Sequence, residues 1–243
     1  FIVIETRARK PLMPLSTFKL QTLRGANVVG VLIGMSLFSM FFFISLYLQQ
    51  ILGFDALKAG LAYLPLSVVI IISAGIASQL VTRVGFKPVL ITGSLLTASG
   101  LLWFTQISVD GSFASDVLGP SLLAAAGLGF SFVPVTIAAV TGTRPDQAGL
   151  ASGLINTSQQ VGGALGVAIL ASIATSVSGG VDPRGRLDQA QLAKLTDGFQ
   201  AAFAVGAGFA ILGAIAAALL ISSRDSREMA AATRADGPVA AAT

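Results

Sequence analysis

The chain has 243 residues, of which 54% are hydrophobic and 11% charged, with a formal charge of +4 and neither cysteine nor histidine. A charged fraction this far below the roughly 25% of soluble domains argues against a water-soluble fold. The missing residue types exclude a disulfide framework, a thiol nucleophile and a Cys/His metal site, and nothing in the sequence asks for a cofactor. The positive balance does not point to nucleic acid, because the Lys and Arg residues flank apolar stretches instead of gathering on one face.

Phe1-Ile2-Val3-Ile4 is apolar and runs into the charged segment Glu5–Lys10, the reverse of a signal peptide's order. It reads as the last turn of a preceding membrane helix in a longer protein, with residues 1–24 as that helix end plus a cytoplasmic linker. Within the linker, Pro11 and Pro14 interrupt the chain. Phe18, Leu20 and Leu23 then suggest a brief amphipathic piece lying along the membrane interface.

Six stretches without one charged side chain follow: Gly25–Phe54, Ala59–Thr82, Pro88–Val109, Val117–Thr143, Gln147–Val181 and Gly198–Ser223. Each reaches the roughly 20 residues needed to cross a ~30 Å hydrocarbon core. Burying a Lys, Arg or Asp at mid-membrane costs about 2.5–3.5 kcal/mol on insertion scales, so the ionisable residues fall between the stretches. The predicted fold is an all-α membrane protein with a six-span bundle over residues 25–223. Most connections are short, which makes consecutive spans antiparallel neighbours. The longest, Ser178–Asp197, suggests a short helix near Gln189–Leu195 capped by Asp188. Residues 224–243 are Ala-rich, of mixed charge and without a periodic apolar face, which predicts a disordered tail.

The side of the bundle holding both ends of the chain carries eleven of the 15 Lys and Arg residues, among them Arg83, Lys87, Arg144 and Arg224. The opposite side carries Lys58, Arg184, Arg186 and Lys194. The positive-inside rule places both termini in the cytoplasm of a cell, or inner, membrane.

Within the first span, Leu37, Phe41, Ile44, Leu48 and Ile51 form an apolar stripe, and Ser39, Phe43, Tyr47 and Gln50 a mixed aromatic and polar one. The mixed stripe suits either a cavity for amphipathic organic molecules or helix packing, and Ser131 in the fourth span joins the cavity candidates. In the fifth span Gly149, Gly153, Asn156, Gln159, Gln160, Gly163 and Gly166 lie along one face. Glycines allow close helix approach, and the amides need protein or water beside them, so this face predicts an interface with another membrane domain. Pro65 in the second span and Pro120 and Pro134 in the fourth are expected breaks or bends.

The link Ser78-Gln79-Leu80-Val81-Thr82-Arg83-Val84-Gly85-Phe86-Lys87-Pro88 resembles the cytoplasmic loop motif of the major facilitator superfamily, Gly-x-Leu-Ala-Asp-Arg-x-Gly-Arg-Lys. Leu80, Arg83, Gly85 and Lys87 match. Ser78 and Thr82 replace the glycine and the aspartate, as in the weaker repeat of the motif in the family's C-terminal half. Glu5-x-Arg7-x-x-x-Pro11-Leu12-x-Pro14-Leu15 is similar to the linker before the last six helices of the fourteen-helix drug:proton antiporters. Ala151-Ser152-Gly153-x-x-Asn156-x-x-Gln159-Gln160-x-Gly162-Gly163-Ala164-x-Gly166 resembles their penultimate helix.

The resemblance implies the C-terminal bundle of a major facilitator fold, built from two three-helix inverted repeats. It puts the first and fourth spans at a central cavity, the second and fifth against a missing N-terminal transmembrane half, and the third and sixth toward lipid. It implies multidrug efflux: export of small amphipathic organic substrates in exchange for protons. No span interior carries an ionisable group, so the coupling carboxylates are expected in the partner half. Transport of another cargo (a lipid, peptide, siderophore or metabolite) and a non-transporting membrane scaffold are the alternatives. No residue pattern suggests an enzyme.

Overall fold

The computed structural model describes residues 20–143, 147–181 and 187–235. Phe1–Ile4, the Pro11–Lys19 part of the linker, Arg144, Arg184, Arg186 and residues 236–243 lie outside the described residues. Among the described residues six helical segments are long and apolar enough to cross a membrane: Gln21–Ile51, Ala56–Val84, Phe86–Gln106, Phe113–Val140, Ala148–Ser178 and Gln189–Leu220. No strand occurs among the described residues.

Contacts between the spans divide them into two triplets. The first span packs on the fifth and sixth, and the fourth packs equivalently on the second and third; first–fourth and third–sixth contacts join the triplets. The pattern is kept when each of the first three spans is exchanged for the one three places later, and an odd number of spans reverses the chain direction, so spans one to three and four to six are related as inverted repeats. The first and fourth spans are the most enclosed, with 56% of each core window buried, whereas the second has only 17% buried and the fifth 33%.

Two apolar cores stack along the bundle axis. One, toward the end where the described chain starts and finishes (the near end), gathers Leu23, Val29, Phe86, Leu90, Val135, Ile155 and Ile221. The other, toward the far end, gathers Met40, Phe43, Tyr47, Leu101, Phe104, Phe199 and Phe203. A seam of small residues joins the third and fourth spans. Gly93 and Gly100 on the third span meet Gly127 and Ala124 on the fourth so closely that a Cβ on either glycine would overlap the opposing backbone. Backbone-to-backbone approach of this kind holds helices together where lipid removes the hydrophobic drive.

The prolines act at helix starts more than within helices. The second span breaks at Ala62–Tyr63, and Pro65 stands in the first turn of the long helix Leu64–Val84. The fourth begins with a π-helical turn, Phe113–Leu118, before Pro120 starts the regular helix; among the described prolines Pro134 alone lies inside one.

Three expectations are corrected. The first helix begins at Gln21, so Leu23 is fully buried in the near-end core and is not interfacial. There is no separate short helix near Gln189–Leu195. Asp188 does cap there, its carboxylate accepting from the Gln191 N–H at 2.8 Å while the Gln191 side chain accepts from the Asp188 N–H at 3.0 Å. The helix it starts then continues unbroken to Leu220, because Gly198 sits against the Ala174 backbone and needs no turn. Finally, Ser223–Ala235 is a helix, not a disordered segment. Its buried side is the narrow row Ser226, Met229 and Ala230. A row of mostly small residues is enough to dock a helix but too weakly apolar to stand out in the sequence.

Candidate functional site

The five cavity candidates separate once their surroundings are known. Ser39, Phe43 and Tyr47 turn into the bundle and are almost wholly buried. Phe43 meets Phe199 and Phe203 of the sixth span at ring distances of 5.9 and 6.1 Å, and Phe203 stacks on Phe104 at 4.7 Å. The Ser39 hydroxyl has no hydrogen-bond partner. Tyr47 donates to the Ser108 carbonyl at 2.7 Å and to Asp116 at 3.3 Å. It thereby ties the first span to the loop before the fourth. Ser131 also points inward: its hydroxyl donates to the Gly127 carbonyl at 2.9 Å and borders a void of about 10 Å³ shared with Ser36, Ser94 and Thr97. In this bundle Tyr47 serves a bond between elements, Ser131 bonds within its own span, and Ser39 packs without a hydrogen bond. A helical wheel shows which residues share a face but not what that face meets.

Phe43 and Gln50 do reach an opening. With Phe42, Leu46, Thr175 and Phe199 they line a cleft of about 200 Å³ between the first, fifth and sixth spans near the far end. It is aromatic and apolar apart from an amide and two hydroxyls, which suits a flat hydrophobic molecule with one or two polar groups. Phe42, Thr175 and Phe199 were missed by sequence reading; the one available signal was the Phe199/Phe203 pair at i, i+4 facing the Phe43 register. On the second span, the Tyr63 hydroxyl donates to the Phe41 carbonyl at 2.8 Å and its ring stacks on Phe41 at 5.3 Å. Phe41 is thus a contact within the bundle and does not face lipid alone.

The fifth span carries two sets of glycines. Gly163 and Gly166, with Gly162, are buried against the first span: a Cβ would overlap Phe38, Met35 and Val31 respectively. The backbone carbonyl of Gln159 lies over Gly34, and Ser158 donates to Asn27 at 2.7 Å. An interface with another domain is therefore corrected for Gly163, Gly166 and the Gln159 backbone, which join the bundle to itself. Gly149 and Gly153 are different: nothing stands within 4 Å of a Cβ on either. Together with the exposed amides of Asn156 and Gln160 they form an uncovered face. Val161 and Leu165, each half exposed and apolar, lie on a different side of the same helix.

At the near end, the loop motif is a docking point. Gly85 has φ +88° and sits so close to Ser226 that any side chain would collide with it. The Lys87 N–H donates to the Ser226 hydroxyl at 3.0 Å, and the Lys87 ammonium donates to the Ile221 carbonyl and the Ser223 hydroxyl, both at 2.8 Å. The Arg83 carbonyl accepts from the Arg234 guanidinium. Thr22 donates to Asp225 at 2.5 Å, fastening the same helix to the first span.

The family model described as the Major Facilitator Superfamily matches residues 4–167. The chain is similar to the puromycin resistance protein of Streptomyces alboniger, at 30% identity over 92% of this chain and 45% of that protein. It is 32% identical to the cephamycin export protein of Amycolatopsis lactamdurans, over 74% of this chain and 37% of that one. With the tetracenomycin C resistance and export protein of Streptomyces glaucescens it shares 35% identity over 75% of this chain and 34% of that one. The chain thus spans less than half the length of these relatives. Among solved structures, a bacterial homologue of the human drug peptide transporters superposes with a TM-score of 0.68 at 16% identity, covering 88% of this chain and 48% of that one.

Proposed function

The chain belongs to the major facilitator superfamily, and from that premise we propose that it is one transmembrane half of a proton-coupled exporter of amphipathic organic compounds. The observation that carries this reading is the uncovered face of the fifth span. Asn156 and Gln160 would be left unsatisfied in hydrocarbon, and Gly149 and Gly153 leave room for a backbone to come close. A second bundle seated there, and on the equally bare second span, would meet the amides and enclose a path between the halves. Alternating access would then be a rocking of the two bundles about that contact. Export of drug-like molecules is favoured by the aromatic cleft and by relatives named for resistance and export. The excess of Lys and Arg at the near end favours a cytoplasmic location for it.

The test uses everted membrane vesicles from cells expressing the full-length protein. An imposed proton gradient should drive accumulation of a fluorescent cationic dye, and an uncoupler should abolish it. Gly153→Leu should stop accumulation while the protein still inserts. Accumulation unaffected by either treatment would sink the reading.

A further inference from the structure

At the near end, where the second and third spans meet the helix Ser223–Ala235, lies a pocket of about 340 Å³. That volume falls within the roughly 300–1,000 Å³ of small-molecule sites. One wall is apolar: Val84, which is 51% exposed, with Pro88 and Ile91. The other wall is cationic and hydroxylic, made by Lys87, Arg227 and Ser223. No carboxylate is among the lining residues described.

The charges around it are arranged so that the positive sign survives. Of the acids on the neighbouring helix, Asp225 is engaged by Thr22 at 2.5 Å and Glu228 by Arg224 at 2.6 Å. Neither neutralises Lys87 or Arg227. The Lys87 ammonium is held by two hydrogen bonds, to Ile221 and Ser223, which leaves a third N–H to donate. Ser223 accepts that bond and keeps its own O–H as a donor. Among the described residues Arg227 uses only its Nε, toward the Ser223 carbonyl at 3.3 Å, so the four N–H groups of its terminal nitrogens remain to donate. Fixed ammonium, guanidinium and hydroxyl donors at one point match a phosphate. The apolar wall runs onto the outer surface of the second and third spans, at the depth where a helix leaves the hydrocarbon.

We propose that this pocket binds an anionic phospholipid, with its phosphate between Lys87, Arg227 and Ser223 and an acyl chain along Val84, Pro88 and Ile91. The bound lipid would bridge the loop motif and the C-terminal helix. The apolar wall selects a lipid over a free anion, since inorganic phosphate would leave Val84 and Ile91 uncovered.

Native mass spectrometry of the purified full-length protein, exchanged into phosphatidylglycerol or phosphatidylcholine micelles, tests this. A basic residue near a membrane surface contributes about 1 kcal/mol of attraction to anionic lipid, or about fivefold in retention. Lys87→Gln and Arg227→Gln should each cost about that factor in phosphatidylglycerol retention, and Arg227→Lys should restore most of it. Lys87→Gln also loosens the helix, whereas Arg227 lies outside the docking contacts, so the Arg227 series carries the test independently. Equal retention of the two lipids, or an Arg227→Gln protein that retains phosphatidylglycerol as wild type does, would overturn the proposal. Displacement of the lipid by excess inorganic phosphate would also overturn it, assigning the pocket to a soluble anion.

Discussion

Two glycines separated by nine positions on one helix make opposite demands. Gly162 faces the Val31 carbonyl with no room for a methyl group, while Gly153 has nothing within 4 Å. Gly162→Ala must push the first and fifth spans apart, and overpacking of this kind costs about 1–3 kcal/mol. In the bundle produced without its second half, Gly153→Ala should change stability by no more than about 1 kcal/mol, in the stabilising direction that helix propensity gives. Thermal unfolding in detergent should separate the two, and equal shifts would refute the assignment of their faces. Phe43 makes a related demand. Truncating a buried Phe in a soluble core costs about 3–5 kcal/mol, but lipid is as apolar as the core, so only the cavity part remains and roughly half is expected for Phe43→Ala. Its effect should therefore appear as a lower melting temperature, with Ser39→Ala nearly silent because its hydroxyl bonds nothing. Loss of cargo selectivity without loss of stability would restore Phe43 to a purely cavity-lining role.

Among the elements, the six spans were legible because charge exclusion and length are properties of the chain alone; each observed helix overlaps its predicted stretch. Faces were only half legible. The wheel placed Gly149, Gly153, Asn156, Gln160, Gly163 and Gly166 together, yet the fifth span wraps the first closely enough that a slight change of angle divides open space from a packed seam. The helix Ser223–Ala235 was not legible, since its seat depends on a small-residue row meeting Gly85 from a distant part of the chain. Gly85→Ala tests that seat. The position combines a left-handed φ with a collision against Ser226. The backbone alone costs an L-residue roughly 1–2 kcal/mol, about tenfold or more in the open population. Limited trypsin digestion should then cleave at Arg224 and Arg227 about tenfold faster than in wild type, because proteolysis follows the opened state. An unchanged cleavage rate would mean that the helix is held elsewhere.

For the whole molecule, the distribution of charge governs both orientation and energetics. The even number of spans among the described residues returns the chain to its starting side, and that side holds most of the described Lys and Arg. With any other cysteines of the full-length protein replaced, Ser112→Cys should label with an impermeant maleimide in intact cells and Ser223→Cys only after permeabilisation. The reverse pattern would invert the bundle. The same distribution leaves few groups able to carry a proton. Among the described spans the carboxylates are Asp116, at the start of the fourth, and Asp197, near the start of the sixth. Asp116 accepts from Ser108, Ser115 and Tyr47, a set that organises the far end and needs the ionised oxygens. Asp116→Asn removes acceptors from that set and should lower the melting temperature. Neither Asp116→Asn nor Asp197→Asn should alter the dependence of dye efflux on the proton gradient, because a coupling group must change charge inside the membrane and be seen from both sides. If either variant still moved dye but no longer responded to the gradient, the proton would cross through this bundle, and the second half would be needed only to complete the path for cargo.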